Sequence, residues 1–303
     1  MSDMSPAAIA IDIGGTAIKF GLTNLRGDIL WESITPTPNS SGTAIVETLL
    51  RCIREVRLAS ERHGASCIGI GTPGIVDVST GFVVGGALQL PGWENLPLAA
   101  IITRETGLPA FVDNDANLMG LGEYVFGKNS RAKNTLFFTL GTGIGGAIFI
   151  NGELYRGSRN AGGELGYIPF HYDGKDGHWE DFASMKGLVR RYLLRTGEKD
   201  SGLSAKSIFE KAAAGEKTAR EAIEENIYLV GLGMAGYINI FNPDQIIIGG
   251  GVSETQSDYI ARIKEEAFRL ALPECCKGVE IVAASLGNRA GFIGAGYYAL
   301  SRK

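Results

Sequence analysis

The chain has little with which to cross-link itself or to hold a metal. Its 4 cysteines, Cys52, Cys67, Cys275 and Cys276, sit in apolar helix-like or strand-like runs and never form a C-x-x-C pair, so a disulfide framework or a redox dithiol is not expected. They read as reduced core thiols. No apolar run approaches the ~20 residues of a membrane span. The opening MSDMSPAAIAIDIGG lacks the basic n-region and long apolar core of a secretory signal, so a cytoplasmic protein with no membrane partner is expected. Positive charge is also scarce: 29 Lys and Arg stand against 33 Asp and Glu, and the basic residues are scattered. Nothing supplies the positive stripe that nucleic acid requires, which leaves small molecules as the expected partners. Low-complexity segments and repeats at solenoid period are absent as well.

Glycine, by contrast, is abundant: 43 of 303 residues, twice an average share of about 7%. Many tight turns are therefore expected. With 45% hydrophobic and 20% charged residues, the chain has the balance of a globular protein with a packed core. Its length suits two domains of roughly 100–200 residues each, with a cleft available between them.

Two glycine-rich segments stand out. Residues 9–22, IAIDIGGTAIKFGL, and residues 136–152, LFFTLGTGIGGAIFING, each run as an apolar strand that breaks at a polar residue, turns through Gly and Thr, and resumes as a second apolar strand. Main-chain N–H groups in such a turn can reach a phosphate with no Cβ in the way, and the Thr hydroxyls add donors. An ordinary hairpin is also made this way. The polar residues that precede the turns, Asp12 and Thr139, tip the balance, because a turn alone does not require them at the end of an apolar strand. Two such hairpins on opposite sides of one nucleotide would grip its phosphates like jaws.

Periodicity orders the rest. A strand-like stretch covers 27–31, and apolar residues Ile45, Leu49, Ile53 and Val56 predict an amphipathic helix over 43–63 before Gly64. Strands are predicted at 67–77 and ending at Asn114, with a short helix near 98–106 between them. Helices are predicted over 117–126, 185–194, 204–214 and 217–239, where Gly231, Gly233 and Gly236 suggest close packing. A buried strand over 244–252 runs into a triple-Gly turn, and an apolar helix over 290–300 ends the chain. The fold class expected is α/β, two-lobed: a small lobe over 1–115, a large lobe over 116–289, and the helix of 290–303 packing back on the small lobe.

Seven motifs in order, DIGGTAIKFGL, GTPG (71–74), LPGW (90–93), DNDAN (113–117), TLGTGIGG (139–146), GGELGY (162–167) and IIIGGGV (246–252), resemble the sugar kinases of the repressor, open-reading-frame and kinase family within the actin-like ATPase superfamily. The resemblance covers nearly the whole chain. It implies an actin-like (ribonuclease H-like) fold with duplicated phosphate-binding hairpins, and ATP-dependent phosphorylation of a hexose or hexose derivative. The favoured acceptor is the 6-hydroxyl of glucose or a β-glucoside; the alternatives are an N-acetylhexosamine or fructose kinase, or a sugar-binding regulator without turnover. Mg²⁺ would accompany ATP, and a homodimer is implied. Asp115 is then the general base, beside Asn114, whose amide can both donate to and accept from a sugar hydroxyl. The plainer reading is that Asn114 or Asp115 N-caps the following helix. Asp12 would orient Mg²⁺ through water. Gly14, Gly15, Thr16 and Lys19 would face the phosphates, although a strand Lys is commonly just solvated. Gly141, Thr142 and Gly143 form the opposing jaw, and Gly249, Gly250 and Gly251 let adenosine approach the backbone. Gly74, Asn114, Glu164, Tyr167 and Glu180 surround the sugar, against the plainer reading of the two glutamates as solvated.

The chain departs from the family pattern at one place. Most members have His where Tyr167 stands, and a cysteine cluster soon after that holds zinc with it. Here IPFHYDGKDGHWEDFAS contains no Cys, and His171 and His178 are too few for a four-ligand site, so no zinc is expected. The loop would be held by packing of Trp179 and Phe182. Tyr167 would either stack on the sugar or a C1 substituent, or pack beneath the loop. Gln89 replaces the Asn often found before LPGW. Family repressors carry a helix-turn-helix ahead of the first hairpin, whereas only eight residues precede the first strand here, which argues for a kinase. An actin-like structural ATPase would lack the sugar residues.

Overall fold

The structure is a computed structural model and describes residues 6–59, 64–87, 89–129, 132–199, 202–251 and 257–303. In chain order its elements begin β1 (Ala7–Ile13), β2 (Ala17–Asn24), β3 (Ile29–Pro36), α1 (Gly42–Ala59), β4 (Ala65–Thr72), β5 (Ile75–Asp77), β6 (Phe82–Gly85), α2 (Leu98–Thr106), β7 (Ala110–Asn114) and α3 (Asp115–Phe126). They continue β8 (Thr135–Leu140), β9 (Ile144–Ile150), β10 (Glu153–Tyr155), β11 (Pro169–Tyr172), β12 (Lys175–His178), α4 (Trp179–Ala183), α5 (Met185–Thr196), α6 (Ala205–Ala213), α7 (Lys217–Phe241), β13 (Gln245–Gly249), α8 (Ser257–Leu270), β14 (Glu280–Ala283) and α9 (Ala290–Arg302). The predicted helix end over 60–63 and the strand end at Val252 lie outside the described residues.

The chain divides into two compact units. The first comprises Met1–Ser130, Leu154–Gly163 and Asn288–Lys303. Its sheet has the order β3-β2-β1-β4-β7, antiparallel from β3 to β1 and parallel from β1 to β7. β1 and β4 are buried on both faces, which is why AAIAI and CIGIG read as unbroken apolar runs rather than alternating ones. Against one face packs α1 through Ile45, Leu49, Cys52, Ile53 and Val56, its start capped by the Ser41 hydroxyl accepting from the Ala44 N–H.

α9 packs on β1, β4 and α3. Its contacts are backbone-close: a Cβ at Gly294 would overlap the Leu118 carbonyl, and one at Gly122 of α3 would overlap the Ala290 carbonyl. The sequence reading set the 117–126 helix at the start of the second lobe. It belongs instead with the first unit, because these glycines let α3 and α9 touch main chain to main chain.

The second unit comprises Arg131–Glu153 and Glu164–Gly287. Its sheet order, β10-β9-β8-β13-β14, repeats that of the first, with β8–β9 antiparallel and β8–β13–β14 parallel. Phe138, Trp179 and Tyr237 form an aromatic centre to its core. Not read from sequence were β10, the β11–β12 hairpin, α4, α8 and β14. In α7, Gly231 lies under the Glu266 side chain and Gly233 under the Trp179 indole, as close packing requires. Gly236 does not fit that reading: it is exposed, with nothing in the described residues near its absent Cβ.

Gly294→Ala and Gly236→Ala should therefore have opposite effects in thermal unfolding. The first forces two helix backbones apart and should cost about 2 kcal/mol or more. The second improves helix propensity without a clash and should stabilise by about 0.5–1 kcal/mol.

Candidate active site

In the first unit the parallel strands bring their C-terminal ends together, where ligands of open α/β sheets usually bind. Register places Asp12 beside Gly71, and Gly71 beside Asp113. Gly71 marks the meeting point of the predicted base and metal-orienting residue: a Cβ there would lie 3.5 Å from Asp115 Cα and 3.7 Å from Asp12 Oδ1. Lys19 is the antiparallel partner of Asp12, which sets its Nζ 3.8 Å from Asp12 Oδ2. The same ammonium donates to the Asn288 carbonyl at 2.7 Å. Lys19 is thus tethered rather than merely solvated.

Asp12 is only 13% exposed in its side chain. A Cβ at Gly291, in the first turn of α9, would come within 2.9 Å of its Oδ2. Burial raises the Asp12 carboxyl above the usual carboxylate range, and the Lys19 charge partly opposes this.

Asn114 and Asp115 occupy the passage from β7 to α3. The cap of α3 is Asn114: its Oδ1 accepts from the Asn117 N–H at 3.1 Å, while its Nδ2 donates to the Gly74 carbonyl at 3.0 Å. The capping alternative therefore holds for Asn114, with one amide hydrogen and one oxygen lone pair left for a ligand. Asp115 is the first helical residue, half-buried, with Oδ1 accepting from the Ala116 N–H. Gly74 has a real conformational demand, φ +96°.

In the second unit the β8–β9 turn is closed by Gly141 N–H donating to the Gly143 carbonyl at 3.0 Å, and is tied to α5 by Met185 N–H donating to the Gly141 carbonyl. Glu180, in the first turn of α4, meets this turn directly. Its Oε2 accepts from the Ile144 N–H at 3.0 Å, and a Cβ at Gly143 would lie 2.5 Å from that oxygen. The carboxylate expected beside the sugar thus also braces the hairpin. Glu164 opens the short turn Leu165–Tyr167. It is exposed as a residue, yet its carboxyl is raised by partial desolvation and by the Glu180 charge, which puts the two glutamates in one neighbourhood.

The Glu164 loop is held by direct contacts. The Tyr237 hydroxyl donates to the Leu165 carbonyl, the Trp179 N–H donates to the Ile168 carbonyl at 3.0 Å, and Gly166 lies against the Ile144 carbonyl. Trp179 is fully buried, and Phe182 packs on Phe170 and Tyr172 of the β11–β12 hairpin. Tyr167 is 48% exposed and its ring lies 4.6 Å from that of His178. Among the described residues no three His, Cys, Asp or Glu are grouped as a metal site.

The turn glycines fall into two kinds. Gly249 is packed by the Phe137 ring and Gly250 combines φ +96° with contact to Leu140, so the fold itself requires both. Gly15 and Gly141 are different. Neither has a left-handed φ, and among the described residues a Cβ would meet only Gln89 Cγ at 3.7 Å in the first case and nothing in the second. Their backbones stay open for no internal reason. Thr16 and Thr142 are exposed on the same two turns, and Gly14 closes the first by donating to the Ala17 carbonyl. Gly251 is exposed beyond Gly250.

Sequence reasoning missed Arg156, which contacts Asp113, two residues before the predicted base, through Nε and Nη2 at 2.9 and 2.6 Å. The buried first Asp of DNDAN was the available signal that a cation must be found.

A family model described as the ROK family matches residues 8–302. A glucokinase from Halalkalibacterium halodurans is 35% identical over 310 residues, spanning 95% of this chain and 93% of the relative. A beta-glucoside kinase from Listeria monocytogenes is 33% identical, spanning 97% of each chain. A solved ROK family glucokinase from Streptomyces griseus, in complex with glucose and AMPPNP, matches with a TM-score of 0.85 at 31% identity, covering 97% of this chain and 99% of that one. The two five-stranded sheets are those of the actin-like ATPase fold of such kinases. With the motifs in order and the match running almost end to end, the chain belongs to the ROK family.

Proposed function

We propose that this protein is an ATP-dependent sugar kinase that phosphorylates the 6-hydroxyl of glucose or of a β-glucoside. The observation that carries the reading is the convergence of Asp12 and Asp115 on Gly71 at the strand ends, with the open glycine turn beside them. Phosphoryl transfer asks little covalent chemistry of a protein. It needs in-line positioning, neutralisation of the transferring charge, and a base at the accepting hydroxyl. Asp115 takes the hydroxyl proton as the oxygen attacks the γ-phosphorus and ADP leaves. Lys19 and the N–H groups of the two glycine turns meet phosphate oxygens.

The residues present fit Mg²⁺ held through water. Asp12 is a buried carboxylate whose charge is disfavoured, with one ammonium 3.8 Å away, and Mg²⁺ binds by one or two carboxylates while keeping part of its hydration shell. When bound with ATP it supplies neutralisation of the phosphate charge. Glu164 and the remaining hydrogen-bonding capacity of Asn114 hold sugar hydroxyls.

The function is tested by coupled ADP release across glucose, fructose, mannose, N-acetylmannosamine, N-acetylglucosamine and β-glucosides, with Asp115→Asn alongside. Turnover is expected with a glucose-type sugar, and the variant should lose on the order of 10²–10⁴-fold in kcat with its melting temperature unchanged. No turnover with any sugar defeats the kinase reading. A variant keeping more than about a tenth of kcat removes Asp115 from the base role.

Asp12→Asn separates function from stability. A raised carboxyl favours folding below its unfolded pKa, and that contribution is lost as pH rises through the folded value. The ligand-free variant, lacking the ionisable group, should therefore melt higher than wild type by a margin that widens as pH rises above the ordinary carboxylate range, while its turnover falls. A margin that is flat or shrinking with pH contradicts the electrostatic account.

Tyr167 bears on substrate choice. Its half-exposed ring, steadied by His178, offers an apolar face to a sugar ring or to a group at C1. We expect kcat/KM for a β-glucoside relative to glucose to fall in Tyr167→His. Rejection of every C1-substituted sugar by the wild type, or an unchanged ratio, rules this role out.

A further inference from the structure

A second buried charge lies two residues before the candidate base. Asp113, at the penultimate position of β7, has a side chain 2% exposed. Its four acceptor contacts divide cleanly. Oδ2 receives Nε and Nη2 of Arg156 at 2.9 and 2.6 Å. Oδ1 receives the Asn114 N–H at 2.8 Å and Asn117 Nδ2 at 3.2 Å. Asn117 in turn donates its N–H to Asn114 Oδ1. The carboxylate therefore grips residues on both sides of Asp115 in the chain.

Arg156 does a second thing with its main chain. Its carbonyl accepts from the Gly162 N–H at 2.8 Å, closing a turn that includes Gly157 at φ +71° and Asn160 at φ +58°. That turn delivers the chain to Gly163 and Glu164. The guanidinium is only 16% exposed and lies over the Tyr298 ring of α9, 5.7 Å from its centroid. Burying two charges rarely gains stability over an apolar pair of similar volume, so stability alone does not account for the bridge. Fixed geometry does: a planar guanidinium held on one carboxylate oxygen and against a ring has one orientation, which a flexible ammonium does not share.

We propose that Arg156 is a positioning residue for phosphoryl transfer, holding through Asp113 the turn that carries Asp115 and through its own carbonyl the turn that delivers Glu164. The proposal rests on the kinase reading for its rate consequences, but its structural half is independent of it. One residue then bears on both turns, through its guanidinium on one and its carbonyl on the other, so that neither relaxes without the other.

The test uses Arg156→Lys and the paired change Arg156→Gln with Asp113→Asn, which leaves no lone charge buried. For each, the melting temperature, kcat and KM for the sugar at saturating ATP, KM for ATP at saturating sugar, and amide hydrogen exchange at Asn114, Asn117 and Gly162 are measured. Both variants should fold. Per folded molecule, sugar kcat/KM should fall at least tenfold while KM for ATP moves less than twofold. Exchange at the three amides should quicken at least tenfold, with β1 and β4 unchanged. A sugar kcat/KM within twofold of wild type, or an equal loss toward sugar and ATP, overturns the proposal. Should the wild type turn over no sugar, the kinase reading fails separately, and exchange still decides whether Arg156 holds both turns: unchanged protection at those amides overturns it.

Discussion

An ionisable carboxyl at the end of an otherwise apolar, fully buried strand is the constraint around which the first unit is arranged. Asp12 costs free energy wherever it is kept from water, and its raised carboxyl reports that cost. The neighbouring residues follow from it. Antiparallel register sets Lys19 opposite. Parallel register sets Gly71 beside it, where a Cβ would lie in van der Waals contact with both Asp12 and Asp115. The first turn of α9 comes down as Gly291 because a side chain there would strike the carboxylate. The glycines that bring α9 onto α3 are thus part of one arrangement with the charge.

The second sheet repeats the order of the first but not its chemistry. The residue matching Asp12 is Thr139, and its cross-strand partner is Gly145 where the first sheet has Lys19. One hairpin carries a charge pair and the other carries none. The neutral turn is stiffened from outside, by Met185 on the Gly141 carbonyl and by Glu180 on the Ile144 N–H. Preorganised N–H groups of this kind act without reorganising when charge arrives.

Much of this was legible in the residues, and what was not had a physical reason. α1 and α7 announced themselves by periodicity, and β1, β4, β8 and β13 by apolar runs that only doubly buried strands sustain. The two glycine turns were readable as turns with open backbone, and Gly15 and Gly141 do have open space and no left-handed φ, whereas Gly249 and Gly250 of the third glycine turn serve packing. The β11–β12 hairpin was hidden because PFHY and KDGH have neither apolar alternation nor length, and the pairing becomes evident only with Phe170 and Tyr172 set on Phe182. Arg156 was invisible for another cause. Its partner is far away in sequence, and no local pattern encodes a long-range ion pair.

The loop that carries Glu164 and Tyr167 is held by ordinary contacts at several points. Here the restraint is spread over the Tyr237 hydroxyl on the Leu165 carbonyl, the Trp179 N–H on Ile168, and aromatic packing through Phe182. Burial pushes the Tyr237 phenol up, so it remains a protonated donor at any physiological pH and the tether does not titrate. Tyr167 has nearly half of its surface uncovered, while the backbone beneath it is held from α7 and α4.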